Sequence, residues 1–223
     1  VDGAFGLFAA LSSRTEGLVR GVERAHSVTV DGHKWLNVPY DSGFAFVRDH
    51  SLLAKAFAYT AAYLPRPDDP RPTPGAIGPE SSRRARALAV WATLRAYGRA
   101  GYRALIERHL DLAQLLARRI DDAPDLERLA AVPLNIVCFR YRPADRELDD
   151  ATLDQLNARL GEEILRDGRV LVGTTQYAGR TAFRPAIVNW RTGPEQVEEL
   201  VSVVRELGGG LAAGYAPVRR HEG

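Results

Sequence analysis

The apolar positions of this chain recur at two spacings, and the change from one to the other marks its parts. Residues 27–30 alternate, with Val28 and Val30 around Thr29, and the run stops at Asp31-Gly32. Gly43-Phe44-Ala45-Phe46-Val47 is a second apolar run, bounded by Asp41-Ser42 and Arg48-Asp49. Both predict strands. Val1-Asp2-Gly3 reads as the end of a buried strand entering a Gly-bounded turn, followed by an apolar patch at Phe5, Leu7, Phe8, Ala9 and Leu11. Short helices are expected over residues 15–24 and 52–57. From Pro65 to Pro79, six prolines and no apolar period predict a long exposed loop. It reads either as a linker or, more sharply, as a mobile lid over residues 65–80.

Beyond that loop the spacing becomes three-to-four. Ser81-Ser82 offers an N-cap for a helix over 83–97 with Leu88, Trp91, Ala92 and Leu94 inward. Gly98 and Gly101 interrupt it before a second helix carrying Tyr102, Leu105, Ile106, His109, Leu112, Ala113 and Leu116. From Leu129 a compact α+β pattern follows: a strand over 135–141, a helix over 150–167, and strands over 170–175 and 181–189 around the turn at Ala178-Gly179. Thr192-Gly-Pro-Glu195 has capping-box spacing for a last helix, ended by Gly208-Gly209-Gly210. The expected organisation is α/β: part of a large domain over 1–100, a linking helix over 101–125, a small α+β domain over 126–210, and a disordered tail over 211–223. The chain opens on the end of a strand and contains no methionine. It is therefore expected to be the C-terminal part of something longer.

Composition narrows the function classes. With 45% hydrophobic and 26% charged residues among 223, the chain is that of a soluble globular protein. Its net charge of +2, with arginine spread along the sequence, argues against a nucleic-acid partner. A single cysteine, Cys138 in an apolar run, excludes an intrachain disulfide and fits a reducing compartment. No apolar run approaches the roughly 20 residues of a membrane span and no leader pattern is present, so a cytoplasmic protein without a membrane partner is expected. No metal-ligand set is expected either.

One residue stands apart. The chain has 28 arginines and only two lysines, Lys34 and Lys55, and Lys34 lies between His33 and Trp35 at the exit of the first predicted strand. Only an ε-amine can deprotonate and form an imine. Asp2, at the end of the opening strand, precedes Lys34 by 32 residues, the length of one crossover between neighbouring parallel strands. A carboxylate facing an imine-forming lysine is what pyridoxal phosphate requires, the acid keeping the ring nitrogen protonated. Read blandly, Lys34 is a surface lysine, Asp2 a turn acid, and His33 packing beside Trp35. His26, His50 and His109 read as structural or solvated, and Cys138 as core.

Val1-Asp2-Gly3-Ala4-Phe5-Gly6, residues 27–35 running into Asp41-Ser42-Gly43 and Val47-Arg48-Asp49, and Ser82-Arg83-Arg84-Ala85-Arg86 leading to Val90-Trp91 and Leu94-Arg95 carry a resemblance across essentially the whole chain. The sequence resembles the pyridoxal-phosphate-dependent decarboxylases of the aromatic-L-amino-acid and glutamate decarboxylase group (group II). The resemblance implies the C-terminal part of a fold-type-I, aspartate-aminotransferase-like enzyme that converts an L-amino acid, aromatic or related, to a primary amine and CO2. It further implies a Schiff base on Lys34, Asp2 at the pyridinium nitrogen, and His33 and Asp31 at the cofactor phosphate, Asp31 mainly through its backbone. A homodimer is implied too, with the site at the interface and the partner's loop, 65–80 here, closing over it. The chain departs from the family pattern in lacking the phosphate-cup loop, the ring-stacking histidine, and a tyrosine in the lid. Aldehyde synthesis, carbon-carbon lyase chemistry and a truncated non-catalytic homologue therefore stand as alternatives. Arg184 reads as structural or interfacial, because gripping the carboxylate that must leave would oppose its loss.

Overall fold

The computed structural model describes residues 1–59 and 74–216, which divide into two compact units, Val1–Arg103 and Ala104–Gly223. In the first unit, β1 (Ser27–Asp31) pairs antiparallel with β2 (Gly43–Val47), Val28 opposite Phe46 and Val30 opposite Phe44. The alternation decides the facing: Val28 and Val30 are buried while Ser27 and Thr29 are exposed. Residues 1–3 run parallel along the free edge of β1. The Thr29 N–H donates to the Val1 carbonyl at 3.1 Å and the Gly3 N–H to the Thr29 carbonyl at 2.8 Å.

A first 3₁₀ turn spans Gly6–Leu11, and the helix expected over 15–24 is instead two more, Glu16–Val19 and Val22–Arg24. Gly21, at φ 89°, stands between the last two in a conformation that ends any right-handed helix. α1 spans Ser51–Phe57. Most of the proposed lid, residues 65–73, lies outside the described residues; the remainder includes a 3₁₀ turn, Pro74–Ile77.

α2 runs over Arg86–Asp121 and breaks at Gly98, whose φ of 60° and ψ of −176° separate two helical segments. Gly101 does not interrupt it. Before the break, the face expected inward is exposed: Leu88, Trp91 and Leu94 lie open, Trp91 at 61%, while Val90 is buried. Periodicity identifies an apolar face; coverage depends on what packs there, and no element of this unit among the described residues covers it.

The second unit carries an antiparallel sheet of β3 (Leu126–Arg128), β4 (Phe139–Tyr141), β5 (Thr174–Tyr177) and β6 (Arg180–Phe183), in the order β3-β4-β6-β5. The strands are shorter than the runs 135–141 and 181–189 suggest. Pro185 has no N–H to give the ladder, and pairing beyond it shrinks to the Ile136–Ala186 bridge. The β5–β6 turn falls at Ala178 and Gly179, both at positive φ, 48° and 77°.

α3 (Asp150–Asp167) starts under an Asp149 cap that accepts the Thr152 N–H at 2.7 Å and ends at Gly168, at φ 78°. α4 (Pro194–Ala212) begins one residue later than the capping spacing indicates, with the Gly193 N–H donating to Gln196 Oε1 at 2.8 Å. It does not stop at Gly208-Gly209-Gly210 but runs through to Ala212, into the expected tail; the tail from 217 lies outside the described residues. Gly208 is there for contact, since a Cβ would stand 2.7 Å from the Tyr141 ring.

The core of this unit draws Leu116 and Ile120 from α2, Phe139, Tyr141 and Phe183 from the sheet, Leu156, Leu160 and Ile164 from α3, and Val201 and Val204 from α4. The stretch of α2 expected as a linking helix contributes Leu116 and Ile120 to the core. Within that core, Asn157 is fully buried. Its Oδ1 accepts the Tyr141 N–H at 2.8 Å, and its Nδ2 donates to the carbonyls of Tyr141 and Leu153, each at 2.8 Å.

His109 is also fully buried, its Nε2 at 3.1 Å from the Asn189 carbonyl. Burial pushes its pKa down to about 4, helped by Arg108 and opposed by that carbonyl. The unfolded chain takes up this proton below the ordinary value near 6.5, and the folded chain only near 4. Between the two the unfolded state binds more protons, so stability is full above about pH 6.5 and falls as the pH drops towards 4, by about 3 kcal/mol in all. Urea midpoints across that window should decline in the wild-type protein and lose this part of the slope in His109→Gln, which keeps an N–H for Asn189. An equal decline in both proteins would assign the acid sensitivity elsewhere.

Among the described residues no helix is long and apolar enough to cross a membrane.

Candidate active site

Two segments of the first unit leave the sheet at the same end, because residues 1–3 run parallel to β1. At the first exit, Gly3 is packed so tightly that a Cβ would stand 2.9 Å from the Thr29 carbonyl oxygen. This fixes the path of the exposed Asp2, whose Oδ1 accepts the Ala4 N–H at 3.0 Å. Its other oxygen takes no hydrogen bond among the described residues.

At the second exit the chain turns through residues 32–42. Gly32 admits no side chain: a Cβ would lie 2.8 Å from Ser42 Oγ and 2.9 Å from the Phe44 ring. The N–H groups of Gly32 and His33 both donate to the Ser42 carbonyl, at 2.9 and 3.2 Å, closing the base of the loop. Trp35, Leu36 and Val38 are buried beneath it, and the buried Tyr102 hydroxyl donates to the Leu36 carbonyl at 3.1 Å. The loop is therefore a packed platform. Its outer edge is tied to the start of α2 by Asp41, whose Oδ1 lies 2.7 Å from Arg86 Nε, and this contact holds the Asp41 carboxyl below the usual range.

On that platform Lys34 Nζ lies 2.5 Å from Asp31 Oδ2 and 4.9 Å from the centre of the Phe5 ring, both groups about one-third exposed. His33 Nε2 lies 3.8 Å from the same Asp31 oxygen. Its Nδ1 accepts the Ser42 N–H at 3.0 Å, and its ring stacks on Tyr40 at 4.1 Å between centroids. Of the residues singled out in the sequence, Asp31, His33 and Lys34 thus come together directly. Asp2 is held at the neighbouring exit, and Phe5, three residues on, reaches the amine. The expected backbone role of the Asp31 turn meets an obstacle, because the Gly32 and His33 N–H groups are committed to Ser42. What Asp31 offers is its carboxylate.

Sequence reasoning passed over Phe5, Tyr40 and Ser42. None lies within a telling spacing of Lys34, and each acts through a contact across a turn. Arg184 belongs to the second unit, exposed just past β6, its N–H on the Gly173 carbonyl at 3.1 Å. Cys138 is buried, which pushes its thiol pKa up. Among the described residues no group of three or more His, Cys, Asp or Glu side chains is placed to hold a metal ion.

Comparison with known proteins gives the arrangement a context. The chain is 32% identical over 219 residues to an aromatic-L-amino-acid decarboxylase of Bacillus atrophaeus, covering 96% of this chain and 45% of that protein. It is 31% identical to an L-2,4-diaminobutyrate decarboxylase of Rhizobium meliloti, covering 97% of this chain and 43% of that one. The chain thus spans a little under half the length of these curated relatives. The crystal structure of Oryza sativa TDC with PLP and tryptamine superposes with a TM-score of 0.86 at 23% identity, over 95% of this chain and 44% of that one. This likeness bears out the expected α/β class, a C-terminal portion of the decarboxylase fold. The profile of the pyridoxal-dependent decarboxylase conserved domain matches residues 1–142, more than half the chain, and the chain belongs to that family.

Proposed function

We propose that the protein decarboxylates an L-amino acid, aromatic or related, releasing a primary amine and CO2, with pyridoxal phosphate held as a Schiff base on Lys34. The observation that carries this reading is the placement of Lys34 on a rigid platform at a sheet edge, in a chain of this family, with an acid at the parallel neighbouring exit. The residues present fit the group. Two nitrogen donors, Lys34 Nζ and His33 Nε2, converge on one anionic oxygen, here that of Asp31 at 2.5 and 3.8 Å. When bound, the cofactor supplies an electron sink for the electron pair left by the departing carboxylate.

The roles of the chain's own groups follow from their surroundings. Asp31 and the Phe5 ring both lie against the Lys34 amine, so that amine must leave these two contacts to hold the cofactor. Asp2, with one oxygen spent on Ala4 and the other open, is assigned to the ring nitrogen. His33, its Nδ1 already occupied, has Nε2–H to give to the phosphate. Asp31 is assigned the hold on Lys34.

The same reading places the protein in the cytoplasm as a homodimer with the site at the interface. A buried single thiol and the open apolar stripe of Leu88, Trp91 and Leu94 support it.

Borohydride reduction after addition of pyridoxal phosphate to the complete protein tests the assignment. With only two lysines in this sequence, peptide mapping should find the pyridoxyl group on Lys34. A label on Lys55 alone, or on neither, would overturn it.

A further inference from the structure

Tyr40 occupies a position that burial does not explain. It is 81% exposed, yet its ring lies 4.1 Å from that of His33 at an interplanar angle of 26°. So open a ring gains little from the hydrophobic effect in this place. What the contact does achieve is to cover one face of the imidazole and limit rotation of its plane.

A second constraint acts in that plane. The Ser42 N–H donates to Nδ1 at 3.0 Å, and an N–H can donate only to a nitrogen that carries no proton. The neutral ring is therefore the tautomer protonated at Nε2. Ser42 is itself buried, with its carbonyl taking the N–H groups of Gly32 and of His33 itself. The amide that sets the tautomer is thus fixed against the backbone of the residue it controls. Nε2–H is then left over, since Asp31 Oδ2, at 3.8 Å, is beyond hydrogen-bond reach.

We propose that Tyr40 is a positioning residue. Its ring holds the His33 imidazole in the plane in which Ser42 selects the Nε2–H tautomer, and so presents a single N–H donor to an anionic oxygen beside Lys34. The identity of that anion, the phosphate of the cofactor, rests on the function proposed above; the geometry does not.

The test separates the two. In protein carrying ¹⁵N-histidine at about pH 8, where an ordinary imidazole is neutral, His33 is assigned by its loss in His33→Gln. Its two nitrogens should give the well-separated shifts of a single tautomer protonated at Nε2. Tyr40→Phe, which keeps the stack, should preserve them. Tyr40→Ala should draw the two shifts together as the ring turns away from Ser42. Tyr40 contributes nothing to the core, so all three proteins are expected to fold, with circular dichroism as the control.

On the ligand side, the apparent Kd for pyridoxal phosphate, read from the visible band, should rise about tenfold in Tyr40→Ala and remain near wild type in Tyr40→Phe. The Kd for pyridoxal, which lacks the phosphate, should be alike in all three. Retention of the single tautomer in Tyr40→Ala would overturn the positioning role. A tautomer change with equal weakening of both ligands would overturn the phosphate as the target. Absence of any visible band in the wild-type protein would sink the proposed function and leave the tautomer result to decide the role of Tyr40.

Discussion

Lys34→Arg should abolish the visible band formed with pyridoxal phosphate and lower CO2 release from L-amino acids by about a thousandfold or more, about 4 kcal/mol of barrier. The substitution is chosen to separate charge from chemistry. Arginine keeps the positive charge and can still meet Asp31, which lies 2.5 Å from Nζ. Its guanidinium does not deprotonate in proteins and forms no imine under these conditions. If Lys34 were only an ion-pair partner on the platform, the variant would be close to neutral. If it is the imine anchor, the variant folds and fails. Lys55→Arg is the matched control, expected to keep both band and activity. The measurements are an absorbance titration and gas release by the complete protein across aromatic and related substrates. A Lys34→Arg protein with wild-type turnover would end the reading.

Asn157→Leu should lower the stability of the second unit by about 4 kcal/mol, or roughly 15 °C in Tm. Asn157 sits on α3 inside the core, and both polar atoms of its side chain serve Tyr141 of β4, accepting its N–H and donating to its carbonyl. Leucine is close in volume and more apolar, so transfer free energy alone favours it. The loss comes from the backbone of Tyr141, whose N–H and carbonyl would lie buried without these partners, at roughly 1–3 kcal/mol for each unsatisfied group. Asn157→Asp sharpens the comparison. It retains an acceptor for the N–H but sets an anionic oxygen against the carbonyls of Tyr141 and Leu153, and should also destabilise strongly. Urea unfolding of the three proteins measures this; a change below about 1 kcal/mol in Asn157→Leu would mean that the strand finds other partners.

Much of this molecule is legible in a few residues at a time. β1 follows from alternation and β2 from a bounded apolar run, α3 spans the 150–167 that its apolar stripe outlines, and the lysine falls at a strand exit because Asp31-Gly32 ends the alternating run. Other features mislead for the same reason. Leu88, Trp91 and Leu94 have the spacing of a buried face but lie open, and three consecutive glycines look like a helix end but lie inside α4 because Gly208 must pass the Tyr141 ring. A local pattern carries the shape an element can take, and nothing about what will lie against it.

The site divides along the same line. By itself the sequence determined the chemical inventory, an amine between His33 and Trp35 in an arginine-rich chain and an acid at the preceding strand end, because residue identity and short-range period are enough to state both. Only the tertiary structure decided which groups meet that amine and in what state. Asp31 holds the ammonium, Phe5 lies beside it, Ser42 leaves the His33 proton on Nε2, and Tyr40 covers the ring. Each of these contacts joins residues whose separation is set by the path of a turn or by a parallel neighbouring strand, and that path comes from packing Trp35, Leu36 and Val38 beneath the loop rather than from any repeat in the sequence.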